Sequence, residues 1–130
     1  MRILLDTNVV IWLASEPTVV RAETLELLSD DGTGLVLSAV VPWEVSVKWG
    51  AGKLTLPEHP KNWVTRLTRE FGVEPLPVTH AHAVEVAELP DHHRDPFDRL
   101  LVAQARVEGL PIVTADRSFA SYGVDVIAAR

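Results

Sequence analysis

The feature that most constrains this chain is the unbroken apolar run Ile3-Leu4-Leu5, which ends abruptly in Asp6-Thr7-Asn8. Side chains alternate across a strand, so three apolar residues in a row describe a strand covered on both faces, as in a parallel sheet between helices. Ligands of such sheets gather beyond the carboxyl ends of the strands, which puts Asp6 where chemistry in this architecture takes place. Asp and Thr are also favoured helix caps, so Asp6 alone admits a purely structural role. Other carboxylates converging on the same edge decide between the two.

The pattern recurs along the chain. Leu35-Val36-Leu37 reads as a second buried strand, and Ile112-Val113 as a third, ending in Thr114-Ala115-Asp116. Val124–Ile127 reads as a last strand, and Glu74–Val78 as an edge strand, because its two prolines cannot donate to a central ladder. Helical segments lie between them. The apolar run Val9–Ala14 follows the capping Asp-Thr, an amphipathic helix fits Val19–Ser29, and another reaches Trp49 from a start at either Ser38 or Val41. Trp63, Leu67 and Phe71 mark a further helix at four-residue spacing. Thr79 caps one through Ala87, Asp95-Pro96 opens one that Gly109 closes, and a short one begins at Arg117. Strands alternating with helices predict parallel pairing, hence a three-layer α/β/α fold with a mainly parallel sheet of about four or five strands. Asp6 and Asp116 then become neighbours.

At 130 residues the chain is expected to form a single domain, 1–130. No apolar run approaches the roughly 20 residues needed to span a bilayer, and a cytoplasmic location is expected. Eighteen acids against 12 bases give a net charge of −6, which argues against a broad basic face for nucleic acid. A nucleic-acid substrate would be held locally or through a cation. With no cysteine, any metal must take oxygen or imidazole ligands, which favours Mg²⁺ or Mn²⁺.

Two further acids qualify for the site. Glu44 sits among Val40, Val41, Trp43, Val45 and Val47, where an unpaired carboxylate costs several kcal/mol. It needs a cation, or it forms an exposed pair with Lys48 one turn on. Asp98 falls in the first turn of a helix whose Leu100-Leu101-Val102-Ala103 run is apolar on several sides, at the lip of the core, although a capping role also fits it. Arg94 and Arg99 pair with these acids or grip phosphate. His80 and His82, two apart, do not face one another on a helix and read as solvated surface. Asp6, Glu44, Asp98 and Asp116 so close together repel, and a divalent cation resolves the conflict. The reaction implied is metal-assisted hydrolysis of a phosphodiester.

The segments Leu4-Leu5-Asp6-Thr7-Asn8, Ser38 to Lys48 around Trp43-Glu44, His93-Arg94-Asp95-Pro96-Phe97-Asp98-Arg99-Leu100-Leu101 to Ala105, and Thr114-Ala115-Asp116 together resemble the PIN-domain ribonucleases, and among them the VapC-like toxins of bacterial toxin–antitoxin pairs. The resemblance implies a Mg²⁺- or Mn²⁺-dependent endoribonuclease, a homodimer and a cognate antitoxin. By position, Asp6, Asp98 and Asp116 match metal-ligating acids, and Glu44 matches the acid that helps bind metal or positions the attacking water. Thr7, Asn8 and Thr114 would be hydrogen-bonding groups beside them, Asp95 faces the site or only caps its helix, and Arg94, Arg99 and Arg117 are expected at the substrate. Trp12, Trp43 and Trp49 are expected in the core or under an antitoxin. Two other readings stay open: a housekeeping PIN nuclease in RNA maturation, and a non-catalytic acidic module that binds a basic partner.

Overall fold

In the computed structural model, which describes residues 1–130, the opening apolar run is strand β1 (Arg2–Leu5) and lies at the centre of a five-stranded sheet. β2 (Gly34–Ser38) and β4 (Ile112–Thr114) flank it, and β3 (Glu74–Leu76) and β5 (Val126–Ala128) form the edges, in the order β3-β2-β1-β4-β5. Every pairing is parallel, with Leu4 opposite both Val36 and Ile112. This is the α/β architecture that the alternating pattern predicts, with helices on both faces.

Ile3, Leu4 and Leu5 are all fully buried, each worth about 1.5–3 kcal/mol relative to exposure. Ile3 and Leu5 pack against α1 (Thr7–Ser15), α2 (Ala22–Ser29), α3 (Val40–Gly50) and α4 (Pro60–Phe71) through Val9, Val10, Leu28, Val45 and Leu67. Leu4, on the other face, meets Leu101 and Val102 of α6 (Pro96–Glu108) and Phe119 and Tyr122 of the 3₁₀ segment Arg117–Tyr122. α5 (His80–Glu85) packs beside α6. No helix is long and apolar enough to cross a membrane.

Several boundaries move from their sequence expectations for local reasons. The segment expected as one helix over Val19–Ser29 divides, because Val20 and Arg21 are extended; a 3₁₀ turn over Pro17–Val19 precedes them and α2 starts only at Ala22. α3 begins between the two expected starts: the Ser38 hydroxyl accepts from Val40 N, so the serine caps the turn from outside the helix. α5 relaxes into a 3₁₀ turn over Val86–Glu88, and the last strand starts two residues and ends one residue further on than expected. Gly109 closes α6 in the left-handed conformation at φ +66°, which its missing Cβ permits.

The expectation for His82 needs correction. Its side chain is not solvated surface but 0% exposed. Nδ1 accepts from Thr79 N at 3.0 Å, and Nε2 lies 2.8 Å from Glu108 Oε2, which ties the start of α5 to the end of α6. Beside it, buried Gln104 accepts from the Ser38 hydroxyl and donates to Pro77 O at 3.3 Å, joining α6 to the ends of β2 and β3. Every buried side-chain nitrogen and oxygen has a partner. Gln104→Leu removes the acceptor for the proton of the buried Ser38 hydroxyl and the donor to Pro77 O, and is expected to lower unfolding free energy by about 1–3 kcal/mol, measured by urea denaturation with an unchanged m-value.

Candidate active site

Parallel pairing brings the carboxyl ends of β1 and β4 to the same edge, where Asp6 N donates to Val113 O at 3.1 Å. Asp6 is 7% exposed and caps α1, with Oδ1 accepting from Thr7 N at 2.8 Å. The capping role is therefore real, and it leaves Oδ2 turned toward β4. There the Thr114 hydroxyl donates to Asp6 Oδ2 at 2.7 Å and accepts from Asp116 N at 3.0 Å. One buried hydroxyl thus fixes the spacing of two acids that are 110 residues apart in sequence.

Thr7 makes the second bridge. Its hydroxyl donates to Glu44 Oε1 at 2.6 Å, so the first residue of α1 joins Asp6 to Glu44 on α3. Glu44 is 6% exposed and its Oε2 pairs with Lys48. The pair with Lys48 forms, but it is not the exposed pair the sequence offered: its acidic end is buried beside Thr7. Asp95 caps α6 by accepting from Phe97 N at 2.8 Å and Asp98 N at 3.3 Å, which sets Asp98 in the first helical turn. Phe97 meets Trp43 edge-to-face at 4.5 Å, clamping α6 to α3 beside Glu44.

The electrostatics follow from this crowding. Burial, then the negative charges of Asp95, Asp6 and Glu44, push the Asp98 carboxyl up to about 7, against a smaller lowering by His93. Burial raises Asp6 as well, despite the bonds from Thr114 and Thr7 that favour its charged form. At Asp116 burial acts upward too, but hydrogen bonds from Ser118 and His93 outweigh it and hold this carboxyl below the ordinary aspartate range. No basic side chain pairs with Asp6 or Asp98.

His93 is the residue that sequence reasoning passed over. Its Nε2 lies 2.8 Å from Asp116 Oδ2, and a ring nitrogen of His93 and one oxygen each of Asp98 and Asp116 all fall within 4.8 Å of one another. The signal available was its place in the His93-Arg94-Asp95-Pro96-Phe97-Asp98 run, the densest cluster of charged and capping residues in the chain. The remaining candidates divide. Arg94, Arg117 and Asn8 are exposed. Arg99 turns away from the acids and donates to the carbonyls of Val86, Pro90 and His93, so it braces the connection before α6. The largest cleft, about 530 Å³, lies between α3 and α4 against Trp49 and His59 and contains none of the four acids, of which Asp6 and Glu44 are buried and Asp98 and Asp116 half-buried. A donor set of three or four carboxylates, among which the charges of Asp6 and Glu44 help raise the proton affinity of Asp98, fits a hard divalent cation.

Over 60 residues the chain is 37% identical to Ribonuclease VapC16 of Mycobacterium tuberculosis, a match covering 46% of this chain and 43% of that protein. The chain therefore spans less than half the length of that relative. In fold it is similar to a structure of VapBC2 from Rickettsia felis bound to a DNA fragment from its promoter, with a TM-score of 0.76 and 18% identity over 100% of both chains. It is also similar to a toxin–antitoxin complex from Klebsiella pneumoniae, with a TM-score of 0.66 and 18% identity over 98% of this chain and 97% of that one. The PIN domain matches residues 3–125, nearly the full length, and the chain belongs to the PIN domain family.

Proposed function

We propose that the chain is a divalent-metal-dependent endoribonuclease and the toxin of a toxin–antitoxin pair, working in the cytoplasm as a homodimer until a cognate antitoxin covers it. The observation that carries the nuclease reading is Asp98, a carboxyl driven to a pKa of about 7 by burial and by Asp95, Asp6 and Glu44, with no basic side chain paired to it. Such an arrangement is unfavourable for the bare protein and suits a cation binder. The partner and the toxin role draw on the VapC16 relative and on the VapBC and toxin–antitoxin structures of similar fold.

Asp6, Asp98 and Asp116 would hold Mg²⁺ or Mn²⁺. When bound, the ion neutralises charge developing on a phosphoryl oxygen and makes water a better nucleophile. The protein's part is positional. Thr7 and Thr114 keep Asp6, Glu44 and Asp116 in fixed relation, so little reorganisation accompanies the reaction. Glu44 orients the attacking water or takes its proton, with Thr7 and Lys48 holding its carboxylate. A phosphodiester chain reaches the site at half-buried Asp98 and Asp116, and exposed Arg94 and Arg117 supply phosphate contacts.

RNA cleavage by the purified protein in Mg²⁺ is expected to stop in EDTA and to fall at least about 100-fold in Asp6→Asn and Asp98→Asn; undiminished cleavage by either variant removes the site. Stability gives a second check. Asp98 and Asp6 bind protons more tightly folded than unfolded, so between about pH 4 and pH 7 the unfolded chain carries fewer protons and stability falls as pH rises. Metal-free protein is expected to melt about 5 °C lower at pH 8 than at pH 5. Asp98→Asn flattens that loss, and Mn²⁺ restores the midpoint at pH 8 in the unaltered chain but much less in the variant, as read by calorimetric melts.

A further inference from the structure

The side chain of Asp116 is 42% exposed, and a short carboxylate that open to water ordinarily samples several rotamers. This one is held at both oxygens. Oδ1 accepts from Ser118 N at 3.0 Å and from the Ser118 hydroxyl, and Oδ2 faces His93 Nε2 at 2.8 Å. The Ser118 bonds are local and move with the 3₁₀ segment they cap. His93 comes from the connection that leads into α6, 23 residues earlier in the chain, so it alone of these partners ties Asp116 to the side of the site that carries Asp98.

His93 is in turn tightly held. Its side chain is 13% exposed, its ring lies edge-to-face with Phe119 at 5.2 Å, and Nδ1 is 2.7 Å from the hydroxyl of buried Tyr122. The protons can be assigned from the partners. An ionised carboxylate only accepts, so Nε2 carries a proton and donates to Asp116, with the Ser118 hydroxyl also 3.0 Å from it, while Nδ1 pairs with the Tyr122 hydroxyl. With Nε2 protonated, His93 has no lone pair to offer an ion in the site, so it acts through Asp116.

We propose that His93, fixed by Tyr122, is the positioning residue that aims Asp116 toward Asp98 so that both carboxylates grip one divalent cation. The proposal rests on the metal-dependent reading above and goes beyond it in assigning cation affinity to a Tyr122–His93–Asp116 chain. Hydrogen-bonding partners of metal ligands characteristically contribute 10- to 100-fold in affinity.

The test is Mn²⁺ titration calorimetry on the full chain and three variants, with ¹⁵N spectra of the His93 ring in the metal-free protein. His93→Ala is expected to weaken Mn²⁺ binding about 10- to 100-fold, while His93→Gln, whose amide can donate from a similar place, stays within about 3-fold. Tyr122→Phe, which keeps the packed ring, is expected to lose about 3- to 10-fold with its melting midpoint nearly unchanged, and it serves as the comparison if His93→Ala fails to fold. The spectra are expected to show the proton on Nε2. Unchanged binding in Tyr122→Phe and His93→Ala, an equal loss in His93→Gln and His93→Ala, or a lone proton on Nδ1 overturns the proposal. If the expected binding losses appear but the unaltered chain cuts no RNA, the positioning role stands and the ribonuclease reading falls.

Discussion

The parallel registration of β1 against β4 is the constraint from which everything else in the molecule follows. It forces two strand exits onto one edge, and each exit ends in an acid two residues or fewer beyond the ladder. An antiparallel pairing of the same strands would have sent Asp6 and Asp116 to opposite ends. The apolar burial of Ile3, Leu4 and Leu5 stabilises that registration from both faces, so the hydrophobic core determines the position of the charges.

Two threonines then convert proximity into geometry. Thr114 donates to one acid while accepting from the backbone of the other, and Thr7 donates its amide to the capping Asp6 while its hydroxyl donates to a third acid. These short side chains with few rotamers lie at element ends, where backbone position alone fixes their reach. The result opposes stability: Asp6 and Asp98 are both held where the charged form is disfavoured. Folding tolerates this because the remaining buried polar groups, including the His82, Gln104 and Ser38 set, are completely paired.

Much of this was legible in the sequence, and the limits have physical causes. The central strand, the five-element sheet and the helix caps at Asp6, Thr79 and Asp95 follow from local rules about periodicity and capping, and they appear in the structure. The convergence of Asp6 with Asp116 follows from topology. What was not legible depends on tertiary neighbours. His82 has the local pattern of surface, yet Glu108 and the buried Gln104 give it partners from another helix. His93 stands in an irregular connection with no periodicity to read, and its tertiary partners, Tyr122 and Asp116 among them, show which way its ring turns. Arg99 carries a charge that suits phosphate, but three nearby carbonyls capture its guanidinium.

The engagement of Arg99 bears on how a polyanion would approach. With Arg99 bound to carbonyls and Lys48 to Glu44, the cationic groups left facing outward near the acids are few, and the whole chain carries −6. Long-range attraction is correspondingly weak, and few condensed counterions would be released when a nucleic acid docks. Ionic strength should therefore govern the encounter far less than it does for proteins with a basic groove, and recognition is left to short-range contacts made after arrival.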